Sequence, residues 1–150
     1  HLRWPKIPRV IANRTSEISR MGIPKEKIIE PELTNKIVGA AFSVFNKIGP
    51  GLSEKDYQQA FVAELKFLNI IFEKEKQLLL GAIAPYEIKR FADFLVAASI
   101  IVELKVVHKL GYAHVKQILA YLRAAGLKLG ILIYFTSDGV KYRRILNPDV

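Results

Sequence analysis

Phe91-Ala-Asp93-Phe-Leu-Val-Ala-Ala-Ser99-Ile-Ile-Val-Glu103-Leu-Lys105 is the stretch on which the fold turns. One carboxylate, Asp93, stands ten positions before a Glu103-Leu104-Lys105 triplet in an otherwise apolar run. A buried β segment has little reason to carry Asp, Glu and Lys unless they meet one another or a ligand. On a strand covering 99–107, Ile101, Glu103, Lys105 and Val107 share one face, and Ile100, Val102, Leu104 and Val106 the other. Asp93 joins Glu103 only in one hairpin register. A connection centred on Ala97-Ala98-Ser99 sets residue 93 opposite 103, and directly opposed residues share a face. A two-residue loop, Ala97-Ala98, sets Asp93 opposite Val102 and sends it to the other side. No Gly stands in this turn, so the sequence leaves the register open.

Two adjacent carboxylates repel, and near a core they are costly unless a cation neutralises them. Mg²⁺ (or Mn²⁺) suits these residue types, as a hard cation bound by one or two carboxylates, a carbonyl, waters and a substrate phosphate oxygen. Such an ion polarises a phosphodiester, helps form hydroxide from bound water and stabilises the leaving oxygen. Lys105 points to the same side as Glu103, where it would orient the attacking water and offset the phosphorane's negative charge. The competing reading is a solvated Glu103–Lys105 ion pair on an exposed sheet face.

Outward from the hairpin, the apolar positions Ile37, Ala41, Val44, Phe45 and Ile48 predict a helix over about 33–48, with Thr34 as N-cap and Gly49-Pro50-Gly51 as the stop. A second helix should begin at Ser53, with Ser53 and Asp56 as a capping-box pair. Its stripe is Glu54, Tyr57, Phe61, Leu65 and Leu68, so one carboxylate leads an apolar face. Strands are expected over 70–80, 86–96 and 99–107, the first two joined by Gly81-Ala-Ile-Ala-Pro85. A helix over 112–125 ends at Gly126. A fully apolar strand over 129–135, the turn Thr136-Ser-Asp-Gly139 and a basic edge strand over 140–146 complete the order α-α-β-β-β-α-β-β. The helix between the third and fourth strands predicts a parallel crossover.

The 150-residue chain is long enough to bury a single core, and 51% apolar residues exclude a disordered chain. The expected division is a basic irregular extension over 1–31, interrupted by Pro5, Pro8, Pro24 and Pro31, and a domain over 32–150. The extension is either a nucleic-acid-binding arm or a segment packed on the domain through Trp4, Ile7, Val10 and Ile11. With no cysteine, neither a disulfide framework nor a thiolate zinc site forms. The central apolar run, 94–102, is too short to span a bilayer, and no charged-then-apolar signal pattern opens the chain, which begins at His1 as a fragment would. A cytoplasmic, reducing location without a membrane partner is the expectation. A net charge of +9 and a pI near 9.8 raise the expectation of a polyanionic partner, because Lys and Arg release condensed counterions from phosphates.

Glu54 would be a further carboxylate aimed at the site from the second helix, but taken alone it reads first as an acidic first-turn residue favouring a helix N-terminus. Gln117, with His114 and Tyr121 on its face, would hydrogen-bond a phosphate or the attacking water, or simply pack over the sheet. His108 has no evident partner, and Tyr57 and Phe61 read as core rather than stacking platforms. Neither a Gly-rich phosphate loop, a Gly-x-Ser-x-Gly elbow nor a His-Glu-x-x-His pattern occurs.

Gly51-Leu-Ser-Glu54-Lys-Asp-Tyr57 is a Gly-x-x-Glu-x-x-Tyr motif. It is followed in order by Ala-Asp93-Phe-Leu-Val, Ile-Val-Glu103-Leu-Lys105, His114-x-x-Gln117-x-x-x-Tyr121-Leu and Gly130-Ile-Leu-Ile. Over about 33–146 this pattern resembles the GxxExxY protein family of the PD-(D/E)XK nuclease superfamily. The resemblance implies an α/β fold with a restriction-endonuclease-like αβββαβ core, a central mixed β-sheet flanked by helices. It implies Asp93 and Glu103 as metal ligands with the Leu104 carbonyl, Lys105 as the catalytic lysine, Glu54 as an accessory acid and Gln117 in support. The departures are the Gly81–Pro85 loop, the Ala-Ala-Ser turn and residues 1–31. The expected function is a Mg²⁺-dependent nuclease acting on DNA in preference to RNA. Double-strand cleavage would require two sites and hence a homodimer. The reading from another class is a non-catalytic nucleic-acid-binding or protein-interaction module on the same fold.

Overall fold

The computed structural model describes residues 30–83, 86–109 and 111–150. In chain order the elements are α1 (Pro31–Ile48), α2 (Glu54–Phe67), β1 (Phe72–Ile83), β2 (Tyr86–Val96), β3 (Ile100–Val106), α3 (Tyr112–Ala125), β4 (Leu129–Thr136) and β5 (Gly139–Leu146). The strands form one sheet in sequence order; β3 and β4 are parallel, and every other neighbouring pair is antiparallel. The expected α/β architecture with a mixed sheet is therefore present. Parallel neighbours need a crossover, and α3 supplies it.

Helices cover both faces of the sheet. Ile37, Ala41 and Val44 of α1 and Tyr57, Phe61 and Leu65 of α2 bury against Phe94, Val102, Leu104, Ile131 and Ile133. On the opposite face Ile118, Tyr121 and Leu122 of α3 bury against Leu78, Leu95, Ile101, Leu132 and Ile145. The α3 helix sits directly on the β4 backbone at Gly130, where an added Cβ would lie 2.5 Å from Ile118 Cγ2. Among the described residues no helix is long and apolar enough to cross a membrane.

The second helix starts as expected: Ser53 and Asp56 form a reciprocal capping box. Tyr57 is buried; its hydroxyl donates to the Gly49 carbonyl at 2.7 Å, and its ring stacks on Phe135 at 4.1 Å. The α1–α2 turn is thereby pinned to the sheet, which fixes where Glu54, one turn before Tyr57, emerges.

Two boundaries differ from expectation. Thr34 is not the N-cap. Pro31 starts α1, with its φ already set for a helix, and Thr34 is buried in the first turn with no partner for its hydroxyl among the described residues. Gly81 does not begin the connection between β1 and β2; β1 continues to Ile83, and an irregularity between Leu79 and Gly81 absorbs a register shift. Residues 1–29, and with them the expected basic extension, lie outside the described residues.

The hairpin register is the required one. Phe94 pairs with Val102, Leu95 with Ile101 and Val96 with Ile100. Ala97-Ala98-Ser99 is the connection, and the register continued by one step sets Asp93 opposite Glu103. Without glycine, the turn holds Ala97 and Ala98 at φ 52° and 54°, a region that costs an L-residue about 1–2 kcal/mol. Three hydrogen bonds hold it there: Ser99 N–H to Val96 O at 3.0 Å, Ala97 N–H to Ile71 O at 2.7 Å, and Ser99 Oγ–H to Glu30 Oε1 at 3.2 Å.

Urea unfolding checks both close approaches. Gly130→Ala should lose about 1–3 kcal/mol, because α3 must lift from β4. Ala98→Gly should be neutral or gain up to about 1 kcal/mol, and a loss larger than that would contradict the left-handed turn.

Candidate active site

The ladder between β2 and β3 ends at Phe94 and Val102, and side chains take over where it stops. The Asp93 amide donates to the Glu103 carboxylate, and the Leu104 amide donates to Asp93 Oδ2 at 2.8 Å. Each acid therefore satisfies a backbone N–H of the opposite strand, so the two chains part with those donors still paired. The backbone changes direction here too. Ala92 buries in the α3-side core and Phe94 in the opposite one, although two residues apart in a regular strand they would share a face. Glu75, which the β1 register sets opposite Asp93, has φ 55°.

Lys105 Nζ lies 3.9 Å from Glu103 Oε1, with the Glu103 side chain 3% exposed and that of Lys105 19%. This excludes the solvated surface ion pair: one partner is buried and already bound to backbone. Burial first, and then the negative charge of Asp93, push the Glu103 carboxyl up to about 8 from 4.5; Lys105 and the Asp93 amide pull it back. Asp93 is raised in turn, mainly by burial, with Glu54 also raising it and the Leu104 amide, Lys105 and Gln58 opposing. Two acids whose charged forms are disfavoured, beside a lysine that favours them, make a site short of positive charge.

Of the other candidates, Glu54 acts on these carboxylates through its charge, Leu104 through its amide, and Gln117 only by way of Tyr121. The Glu54 charge bears on both carboxylates from the first turn of α2. Gln117 is hydrogen-bonded to Tyr121, whose hydroxyl is raised by burial and then by Glu103 and Asp93. Leu104 supplies its N–H to Asp93, while its side chain lies in the core under α1 and α2. His108 lies beyond β3, on a hollow of about 190 Å³ with Gly51, Tyr57 and Phe135, away from the carboxylates.

Sequence reasoning missed Gln58 and Arg90. Gln58 hydrogen-bonds the Asp93 carboxylate. Its signal was available, since it stands four residues after Glu54 and so on the same helix face. The Arg90 charge acts on Tyr121, and an exposed arginine on a strand carries no such signal.

The donor set suits a hard divalent cation. Asp93 and Glu103 offer oxygen only, and no group of three or more His, Asp or Glu side chains able to hold a metal occurs among the described residues. A hard divalent ion commonly takes one or two carboxylates from the protein and its remaining oxygens from elsewhere, so a set of two acids is compatible with one.

The model of the PD-(D/E)XK nuclease superfamily matches residues 31–145. No curated protein is significantly similar in sequence. Among solved structures, the crystal structure of SSO0001 superposes with a TM-score of 0.53 at 20% identity, over 99% of this chain and 71% of that one. An alkaline exonuclease from Laribacter hongkongensis matches with a TM-score of 0.45 at 12% identity, over 73% of this chain and 77% of that one; its complex with dAMP gives the same figures.

The raised acids set a pH dependence for the metal-free protein. Between 4.5 and about 8 the folded state keeps a proton on Glu103 that the unfolded chain has lost. That stabilisation is full below 4.5 and lost as pH rises through about 8. In chelator, melting followed by circular dichroism should show the native chain losing several degrees across this window, and Glu103→Gln losing clearly less. Mg²⁺ at pH 8 should restore the native chain and leave the variant unchanged.

Proposed function

Because the chain belongs to the PD-(D/E)XK nuclease superfamily, we propose that it is a metal-dependent nuclease hydrolysing phosphodiester bonds, with DNA as the first substrate to test. The observation that carries this reading is the crossed pair at the hairpin, Asp93 on the Leu104 amide and Glu103 on the Asp93 amide, with Lys105 beside it. A merely structural ion pair needs neither a second acid nor burial of the first.

Asp93 and Glu103, with the Leu104 carbonyl, would hold Mg²⁺ or Mn²⁺. When bound, the ion supplies Lewis acidity at the phosphodiester and acidifies a coordinated water. Binding of the backbone amides fixes both carboxylates before any ligand arrives, so the site has little to reorganise. Gln58 donates to Asp93 and favours its ionised form. Lys105 lies where its charge offsets that developing on the phosphoryl oxygens, and its ammonium orients the attacking water. Glu54 accepts a hydrogen bond from that water, and Gln117 with Tyr121 closes the α3 side. The basic composition favours a polyanionic substrate over a small phosphodiester.

The test is cleavage of labelled DNA and RNA, single-stranded and duplex, with Mg²⁺ or Mn²⁺. Lys105→Ala should lower kcat by about 10²–10³-fold. Gln58→Ala should lower it less and raise the Mg²⁺ concentration giving half-maximal rate, since an Asp93 freed from its donor binds the ion less readily. Equal cleavage by the native chain and Lys105→Ala, or none by the native chain on any of these substrates, would sink the enzymatic reading in favour of a binding module.

A further inference from the structure

We propose that the open sheet face formed by Tyr134, Lys141 and Arg143 is a phosphate track along which a nucleic-acid strand runs away from Lys105. The inference rests on the nuclease reading and adds to it the course of the substrate. Its basis is register. Lys105 partners Tyr134 across the parallel β3–β4 ladder, and Tyr134 partners Lys141 across β4–β5. In the adjacent row Glu103 partners Leu132, and Leu132 partners Arg143. Partnered residues share a face, so Tyr134, Lys141 and Arg143 project on the same side as Glu103 and Lys105.

That side belongs to α3, but α3 covers only part of it. The helix buries Ile101, Leu132 and Ile145 and rests on Gly130, toward the N-terminal end of β4. Further along, Tyr134 is half-buried and Lys141 and Arg143 are exposed. Strand spacing sets Lys141 about 10 Å from Lys105, and Arg143 about 7 Å from Lys141 along β5.

Charge identifies the occupant. Neither β4 nor β5 contains an acidic residue. Lys141 and Arg143 have no ion pair among the described residues, as is also true of Lys36 and Lys66 on the helices; what sets them apart is their place on the face that carries Glu103 and Lys105. Cations left uncompensated beside a phosphodiester site match a phosphate backbone, with Tyr134 between two lysines offering a surface for a sugar or base. An acidic polypeptide is the competing occupant. It is disfavoured because the row begins at Lys105 inside the site.

Fluorescence anisotropy with labelled DNA, single-stranded and duplex, over a salt series in metal-free buffer tests the track. Lys141→Glu/Arg143→Glu is compared with Lys36→Glu/Lys66→Glu, which changes net charge equally on the helices of the opposite face. The first pair should weaken binding about tenfold or more and reduce the log–log salt slope by about 2, the control pair far less. Cleavage with Mg²⁺ is measured in parallel. If the native chain cleaves while both double variants bind alike, the track is refuted and the nuclease reading stands. If the native chain binds polyglutamate through Lys141 and Arg143 but binds no DNA, the track is refuted in favour of an acidic polypeptide. A native chain that neither binds nor cleaves nucleic acid refutes both readings.

Discussion

The reciprocal bonding of two carboxylates to the amides of each other's strands organises the centre of this protein. Strands that separate in the middle of a sheet leave N–H groups unpaired, and each such group buried costs about as much as a lost hydrogen bond. Here the Asp93 and Leu104 amides are satisfied by acids instead of by backbone carbonyls. The same four groups that let the sheet open hold the two acids side by side. Structure and charge are thus coupled: removing either acid leaves a backbone donor unpaired as well as stripping the opening of a carboxylate.

The arrangement depends in turn on a turn that sequence statistics would not choose. Ala97 and Ala98 occupy a left-handed region, and a glycine at either position would relax it. Contacts from outside the hairpin hold it, from Ile71 before β1 and from Glu30 before α1. A two-residue turn in the same place would have sent Asp93 to the other face. The register of a three-residue connection therefore determines whether the protein has a two-carboxylate site at all.

Elements from both faces of the sheet meet at this opening. Tyr57, held between Gly49 and Phe135, fixes the start of α2, so that Glu54 and Gln58 approach from one side. Gly130 lets α3 lie close on β4, which brings Tyr121 and Gln117 from the other. Burial in this crowd raises both acids, and a bound cation would remove the repulsion that raises them further. On the face that α3 covers around Ile101, Leu132 and Ile145, Lys141 and Arg143 remain exposed to solvent.

Local patterning in the sequence determined a good deal. Ser53 and Asp56 cap α2, apolar periodicity marked the first two helices, Gly126 marked the end of the third, and the apolar run over 129–135 marked an interior strand, because capping and burial act over a few residues. Asp93, Glu103 and Lys105 stood out as charges in an apolar setting, and the ordered motifs around them carried the likeness to a nuclease family. What only the tertiary structure decided is everything that depends on contacts distant in sequence. The register followed from Ile71 and Glu30, the start of α1 from Pro31 rather than Thr34, and the place of Gln58 from how α2 docks. The exposure of Lys141 and Arg143 depended on which part of the sheet α3 covers. Side-chain type and spacing are written in the chain; which strand a carboxylate reaches across to is set by packing.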